Sequence, residues 1–169
     1  MTAAHLQNAE LVLSLHGPGK AGIKKSHHDK PADDPFYIWS GEATGGWAVS
    51  LRHKTKLVDL RGQAKVRWRG KQSGFRYLRL VLQTADGAWL VSDRADGPSG
   101  DWREFEFILS DTRWRRLIID PGRVTEGKWV ERPDLSRVRE IGFTDLIPGG
   151  GSDACSRVDW IEVYGRPLP

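Results

Sequence analysis

Ala64-Lys65-Val66-Arg67-Trp68-Arg69 alternates strictly: Ala64, Val66 and Trp68 project to one side and Lys65, Arg67 and Arg69 to the other. A period of two is the signature of a β-strand with one buried face. Two further stretches repeat it. In Tyr77–Gln83 (YLRLVLQ), Leu78, Leu80 and Leu82 oppose Tyr77, Arg79, Val81 and Gln83. In Trp102–Leu109 (WREFEFIL), Phe105, Phe107 and Leu109 oppose Trp102, Glu104 and Glu106. If these strands are neighbours, their polar sides merge into one surface of arginines, carboxylates, a tyrosine and a tryptophan.

Working outward, strand and turn signals follow each other at short spacing. Glu10–Leu15 reads as an opening strand, followed by a Gly/Lys-rich segment and the polar loop SHHDKPADDP. Residues 1–35 are thus the least regular part of a single domain spanning 1–169. Phe36–Trp39 is a strand, GEATGG a turn, and Trp47–Arg52 (WAVSLR) an alternating strand with Trp47, Val49 and Leu51 inward and Ala48, Ser50 and Arg52 outward. Thr84-Ala85-Asp86-Gly87 has hairpin-turn chemistry, with glycine available for positive φ, and returns the chain along Trp89–Ser92. Trp114–Ile119 is another strand, and Asp134 in Pro133-Asp134-Leu135-Ser136 is placed to cap one helical turn. Pro148–Ser152 (PGGGS) is a loop and Val158–Tyr164 (VDWIEVY) a closing strand. Short strands separated by Gly, Pro and Asp turns, with no long helical period, indicate an all-β sandwich or barrel.

The order of these signals resembles the galactose-binding-like jelly-roll β-sandwich, the fold of many carbohydrate-binding modules and of the complex I intermediate-associated protein family. The resemblance rests on GGWAVSL, DLRGQAKVRWR, the hairpin LRLVLQTADGAWLV, GDWREFEFIL, DLSRVREIGF and the final VDWIEV, from about Phe36 to Tyr164. It implies two antiparallel sheets and a glycan as partner. Relatives of this sandwich often hold a structural calcium beside the last strand, where Asp159 stands here; the other ligands are not placed by the sequence, and no cofactor is expected otherwise.

Composition sets the outer limits. A chain of 169 residues suits one domain with a sizeable core, and the composition is that of a soluble protein. No apolar run approaches the ~20 residues of a membrane span. MTAAHLQNAE lacks the basic and apolar regions of a signal peptide, which leaves the compartment open between the cytosol and an excised or processed extracytoplasmic domain. The lone Cys155 excludes an internal disulfide and a cysteine-rich zinc site. A net charge of +4 mildly favours polyanions.

Sugars are held by flat rings that stack on their C–H faces and by planar polar groups that bond hydroxyl pairs. Trp102 and Tyr77 are the candidate stacking rings; Arg67, Arg69, Arg79, Glu104 and Glu106 the candidate hydrogen-bonding groups; Ser50 supplies room beside them. The competing reading is a solvated face on which Arg67 and Arg79 pair with Glu104 and Glu106 across strands. Trp47 and Trp68 read as core, Trp102 and Trp129 as the two most exposed tryptophans. His27, His28 and Asp29 with Asp33 and Asp34 are metal-ligand types without a ligand spacing, so no metal is assigned. PGGGS lacks the Lys-Ser/Thr of a phosphate loop. The basic strand 65–69 turns Trp68 away from its charged side, which disfavours single-stranded nucleic acid. No catalytic residue is assigned. Glu104 and Glu106, about 7 Å apart on one strand, sit side by side rather than across a cleft. The leading expectation is a non-catalytic carbohydrate-binding module on an outer sheet face or adjoining loops. The alternatives are a polysaccharide lyase or glycoside hydrolase, with Tyr77 and an arginine as a lyase pair, and a protein-interaction sandwich.

Overall fold

The computed structural model describes residues 1–147 and 152–169. Among them the strands are, in chain order, β1 (Leu11–His16), β2 (Lys24–Ser26), β3 (Tyr37–Trp39), β4 (Trp47–His53), β5 (Leu57–Asp59), β6 (Lys65–Gly70) and β7 (Leu78–Thr84). They continue with β8 (Trp89–Asp96), β9 (Arg103–Ile108), β10 (Trp114–Asp120), β11 (Arg123–Val130), β12 (Val138–Asp145), β13 (Arg157–Tyr164) and β14 (Arg166–Leu168). They form a jelly-roll sandwich of two antiparallel sheets. The larger runs β1-β4-β12-β7-β8-β10-β11, with β5 beside β12 and β14 beside β5; the smaller runs β2-β3-β13-β6-β9.

The alternation read from the sequence is the burial pattern observed. Val66, Trp68, Leu78, Leu80, Leu82 and Phe107 are fully enclosed between the sheets, each large side chain contributing about 1.5–3 kcal/mol. Trp68 stands against Phe107 at 4.7 Å and Phe143 at 5.9 Å between ring centres, so the two sheets meet through aromatic contacts. Its indole N–H donates to Asp96 Oδ2 at 2.9 Å. Gln72 (3.3 Å) and Arg103 (2.6 Å to Oδ1) complete the shell around that buried carboxylate.

Three features depart from the sequence reading. No helical turn follows Pro133: the Asp134 carboxylate accepts the Ser136 N–H at 2.9 Å in a bend, and residues from Val138 onward belong to β12. Residues Arg123–Val130, to which the sequence reading assigned no strand, form β11, which pairs with β10 in a hairpin. That hairpin alters the larger sheet's outward face. β10 pairs with β8 over Trp114–Arg116 only; a register shift follows, and the rest of the hairpin folds back over the sheet. Its Leu117 and Val124 close over Ala48, Val81 and Val91 in a second apolar cluster. Val81, on the polar side of its strand by alternation, is therefore fully buried. The hairpin tip packs so closely on Gly17 and Gly46 that a β-carbon at Gly17 would overlap Val124 and the Gly46 carbonyl. Residues 148–151 of the PGGGS loop lie outside the described residues.

Two predictions follow from burial and charge. Replacing Asp96 by Ala strands the Trp68, Gln72 and Arg103 donors and is expected to cost about 3–5 kcal/mol in urea denaturation. Asp59 accepts from Arg61 (2.9 Å) and Arg166 (2.8 Å). The Arg61 side chain and N–H, then Arg166, hold its pKa well below the usual carboxylate range. Its stabilisation is present above the unfolded-state value of about 3.9 and is lost as pH falls through the folded value. Asp59→Asn is therefore expected to be less stable than the parent at neutral pH, with the gap narrowing below about pH 4 in pH-dependent melts.

Candidate functional site

The sandwich divides the expected patch between its two faces. β6 and β9 are neighbours, pairing Arg67 with Glu106 and Arg69 with Glu104 in register, and both belong to the smaller sheet. β7 lies in the larger sheet between β12 and β8. Arg67, Arg69, Glu104, Glu106 and Trp102 thus gather on one side of the molecule, while Arg79 and Ser50 face the opposite side. Tyr77 precedes β7, 48% exposed, with its ring beside Gly97. The expected residues do not all share one face, since Arg79 and Ser50 belong to the larger sheet; alternation within a strand carries no information about which strands pair.

On the smaller sheet the charges satisfy one another. Arg67 bonds Glu162 at 2.7 Å and Glu104 at 3.2 Å, Lys65 bonds Glu106 at 2.7 Å, and Arg69 bonds Asp159 at 2.9 Å. Hydrogen bonds from Arg67 and then the Tyr164 hydroxyl hold the Glu162 pKa below its ordinary value. The Arg67 guanidinium also lies 5.3 Å from the Trp160 ring centre, and that of Arg69 5.4 Å from Trp102. Trp102 is half-buried against Tyr37, ring centres 5.2 Å apart, instead of standing free; Trp129, on β11, is exposed between Arg113 and Arg115. Arg79 pairs with Glu126 of the hairpin at 2.8 Å, not with β9.

The larger sheet carries a different arrangement on its outward face. His16 Nε2 lies 2.8 Å from Ser50 Oγ, and Ser50 Oγ donates to Glu140 Oε2 at 2.5 Å. The hydroxyl has one proton and gives it to the carboxylate, so His16 Nε2–H is the donor to Ser50. From the other side, the Gln83 amide oriented to satisfy both neighbours donates to Glu140 Oε1 (3.3 Å) and accepts from Trp89 Nε1–H (3.1 Å). The indole edge meets the His16 ring at 5.1 Å. These five residues come from β1, β4, β12, β7 and β8, five consecutive strands, and every bond is directed toward Glu140. Among the described residues Glu140 forms no ion pair, and neither does the half-buried Arg52, which alternation places on the same face.

Burial pushes the His16 pKa below 6.5; the Glu140 charge opposes the shift and Lys20 adds to it. His16 is therefore a neutral donor at pH 7. Among the described residues no three His, Cys, Asp or Glu side chains are grouped to hold a metal. His28 bonds Asp34 and the Tyr37 hydroxyl, and Asp159 is held by Arg69. Cys155 is buried with its N–H donating to Ser73 Oγ.

No family model and no curated protein matches the sequence. Solved structures do. A family 11 carbohydrate-binding module from Clostridium thermocellum, in complex with a β-1,3-1,4-mixed-linked tetrasaccharide, superposes with a TM-score of 0.55 at 15% identity over 96% of this chain and 92% of that one. The fold is that of a carbohydrate-binding-module jelly roll. The family 11 module of the Clostridium thermocellum cellulosomal cellulase Lic26A-Cel5E gives 0.52 at 15% identity, over 92% of this chain and 88% of that one. PfGH50B gives 0.53 at 8% identity over 97% of this chain but only 24% of its own length. The likeness to the galactose-binding-like sandwich read from the strand and turn order is thus upheld for the fold.

Ser50 is the one expected site residue in the hydrogen-bonded row. Its partners left fainter signals. Ser14 and His16 alternate with Leu13 and Leu15, Gln83 was already on the polar side of its strand, and Glu140 was hidden by the helical reading of its segment. Proton NMR titration of the His16 ring is expected to give a midpoint below 6.5, and Glu140→Gln is expected to lower it further, since Glu140 is the group that raises it.

Proposed function

We propose that the chain is a non-catalytic carbohydrate-binding module, taking its glycan on the outward face of the larger sheet beside the β10–β11 hairpin. The observation that carries this reading is the row of His16, Ser50, Gln83 and Trp89 converging on Glu140. A carboxylate that already accepts two protein donors is fixed in place, and it belongs to no ion pair among the described residues, which leaves its remaining lone pairs at a half-buried surface. Such a group accepts hydroxyl protons without first breaking an ion pair. Arg52 supplies donors on the same face, and the Trp89 indole supplies a flat apolar surface for sugar C–H groups. On the smaller sheet, by contrast, a neutral sugar would have to displace the bonds of Arg67, Arg69 and Lys65 to carboxylates, and the faces of Trp102 and Trp160 are partly taken by guanidinium groups. The fold shared with family 11 modules supports a glycan as the ligand class.

The smaller sheet's Trp102, Arg67, Arg69, Glu104 and Glu106 stand as the second placement of the same function, favoured by their contiguity on β6 and β9. Affinity electrophoresis or titration calorimetry against a panel of soluble polysaccharides, mixed-linked β-glucan included, separates the two. Trp89→Ala and Glu140→Gln are each expected to weaken binding by about tenfold or more, equivalent to ~1.4 kcal/mol, with Trp102→Ala neutral. The reverse pattern moves the site to the smaller sheet, and no binding to any polymer rejects the function. New reducing ends or unsaturated sugars on incubation would mean an enzyme.

A further inference from the structure

Four side chains on the outward face of the larger sheet stand in a line. Gln83 is in register with Glu140 on one side and with Trp89 on the other. Leu51 pairs with Ile141, and Ile141 is part of the core, so Arg52 and Glu140, the next residue on each strand, are neighbours on the outward face. Arg52, Glu140, Gln83 and Trp89 thus cross β4, β12, β7 and β8 over about 14 Å, from ~4.8 Å between strands.

Arg52 and Glu140 are opposite charges one strand apart that do not close on each other. On the smaller sheet such neighbours do close: Lys65 on Glu106, and Arg67 on Glu104 and Glu162. Here the Glu140 oxygens are turned to Ser50 and Gln83. The half-buried Arg52 guanidinium takes part in no hydrogen bond or ion pair among the described residues. The half-buried Arg67, Arg69, Arg79 and Arg115 each have a carboxylate partner; Arg157 is the other half-buried arginine that does not. Glu10 and Lys54, one of each sign, stand at the ends of β1 and β4, and Lys20 adds a positive charge near His16. Three cations against two carboxylates leave these groups weakly positive together, with the N–H fork of Arg52 uncommitted.

We infer that the glycan taken by this face is acidic: Arg52 binds the carboxylate of a uronic acid residue and Glu140 accepts from its ring hydroxyls. The inference rests on the placement of the glycan on the larger sheet. A uronic acid carries its carboxylate on one side of the pyranose ring and hydroxyls on the other. One such residue lying across the line meets the guanidinium with its anion and Glu140 with its donors. The planar guanidinium matches a carboxylate with two parallel bonds. One strand of separation between the two protein charges keeps the sugar carboxylate off Glu140, and a sugar further along the line reaches the Trp89 indole.

The test is titration calorimetry of the full chain with alginate, polygalacturonate and glucuronoxylan, each beside its carboxyl-reduced form, which is neutral at unchanged linkage. At least one acidic polymer is expected to bind about tenfold tighter than its reduced form, and Arg52→Gln to bring the two together. Arg113→Gln, which removes an exposed guanidinium away from the line, is expected to preserve the difference. Reduced polymers bound as well as the acids, or an acidic preference that survives Arg52→Gln, overturn the inference and leave the glycan site in place. Equal losses from Arg52→Gln and Arg113→Gln mark general charge attraction and overturn it too. If neither form of any polymer binds, nor mixed-linked β-glucan, the reading on which it rests fails with it.

Discussion

A carboxylate held in the dry interior governs how the two sheets sit. Asp96, at the end of β8, is fully buried, and an isolated charge there would be prohibitive without partners. It is accommodated because Trp68 reaches it from the opposite sheet, Gln72 from the strand connection and Arg103 from the start of β9. Apolar contacts alone tolerate sliding of one layer over the other; a directional bond from an indole to a fixed oxygen does not. The orientation of β6, and with it the outward placement of Lys65, Arg67 and Arg69, is referred to that one atom pair.

The two outward faces solve the same physical problem differently. The smaller sheet neutralises its charges in lateral pairs across β9, β6 and β13, each partly exposed and individually weak. The larger sheet shields its centre from water with the β10–β11 hairpin and arranges neutral donors around one carboxylate. Ion pairs that are already complete resist a neutral visitor, whereas an oriented acceptor invites one.

How much of this was legible follows from what each residue pattern encodes. Period-two alternation placed Trp68, Leu80 and Phe107 inside, because the face a side chain takes depends on its own strand alone. Pairing is a property of two strands, so nothing local in Tyr77–Gln83 distinguished the sheet of β12 from the sheet of β6. Glu140 was missed for a related reason: Pro133 to Ser136 carries genuine capping chemistry, and Asp134 uses it in a bend that leads straight into a strand. Val81 shows the remaining limit. Its burial is imposed by Leu117 and Val124, residues far along the chain whose return over the sheet has no marker in its own strand.

That return has an implication for variation. The hairpin's turn is self-contained, Asp120 accepting the Gly122 N–H at 2.9 Å and the Arg123 Nε–H at 3.0 Å. Its tip lies apart from the core built around Trp68 and bears on the sandwich at the backbone of Gly17 and Gly46. Insertions or deletions between Asp120 and Arg123 would therefore reshape the vault above the larger sheet while leaving the load on the inter-sheet core almost unchanged. The surface above the larger sheet and the inter-sheet core are set by different segments of one chain, an arrangement that lets the first drift without endangering the second.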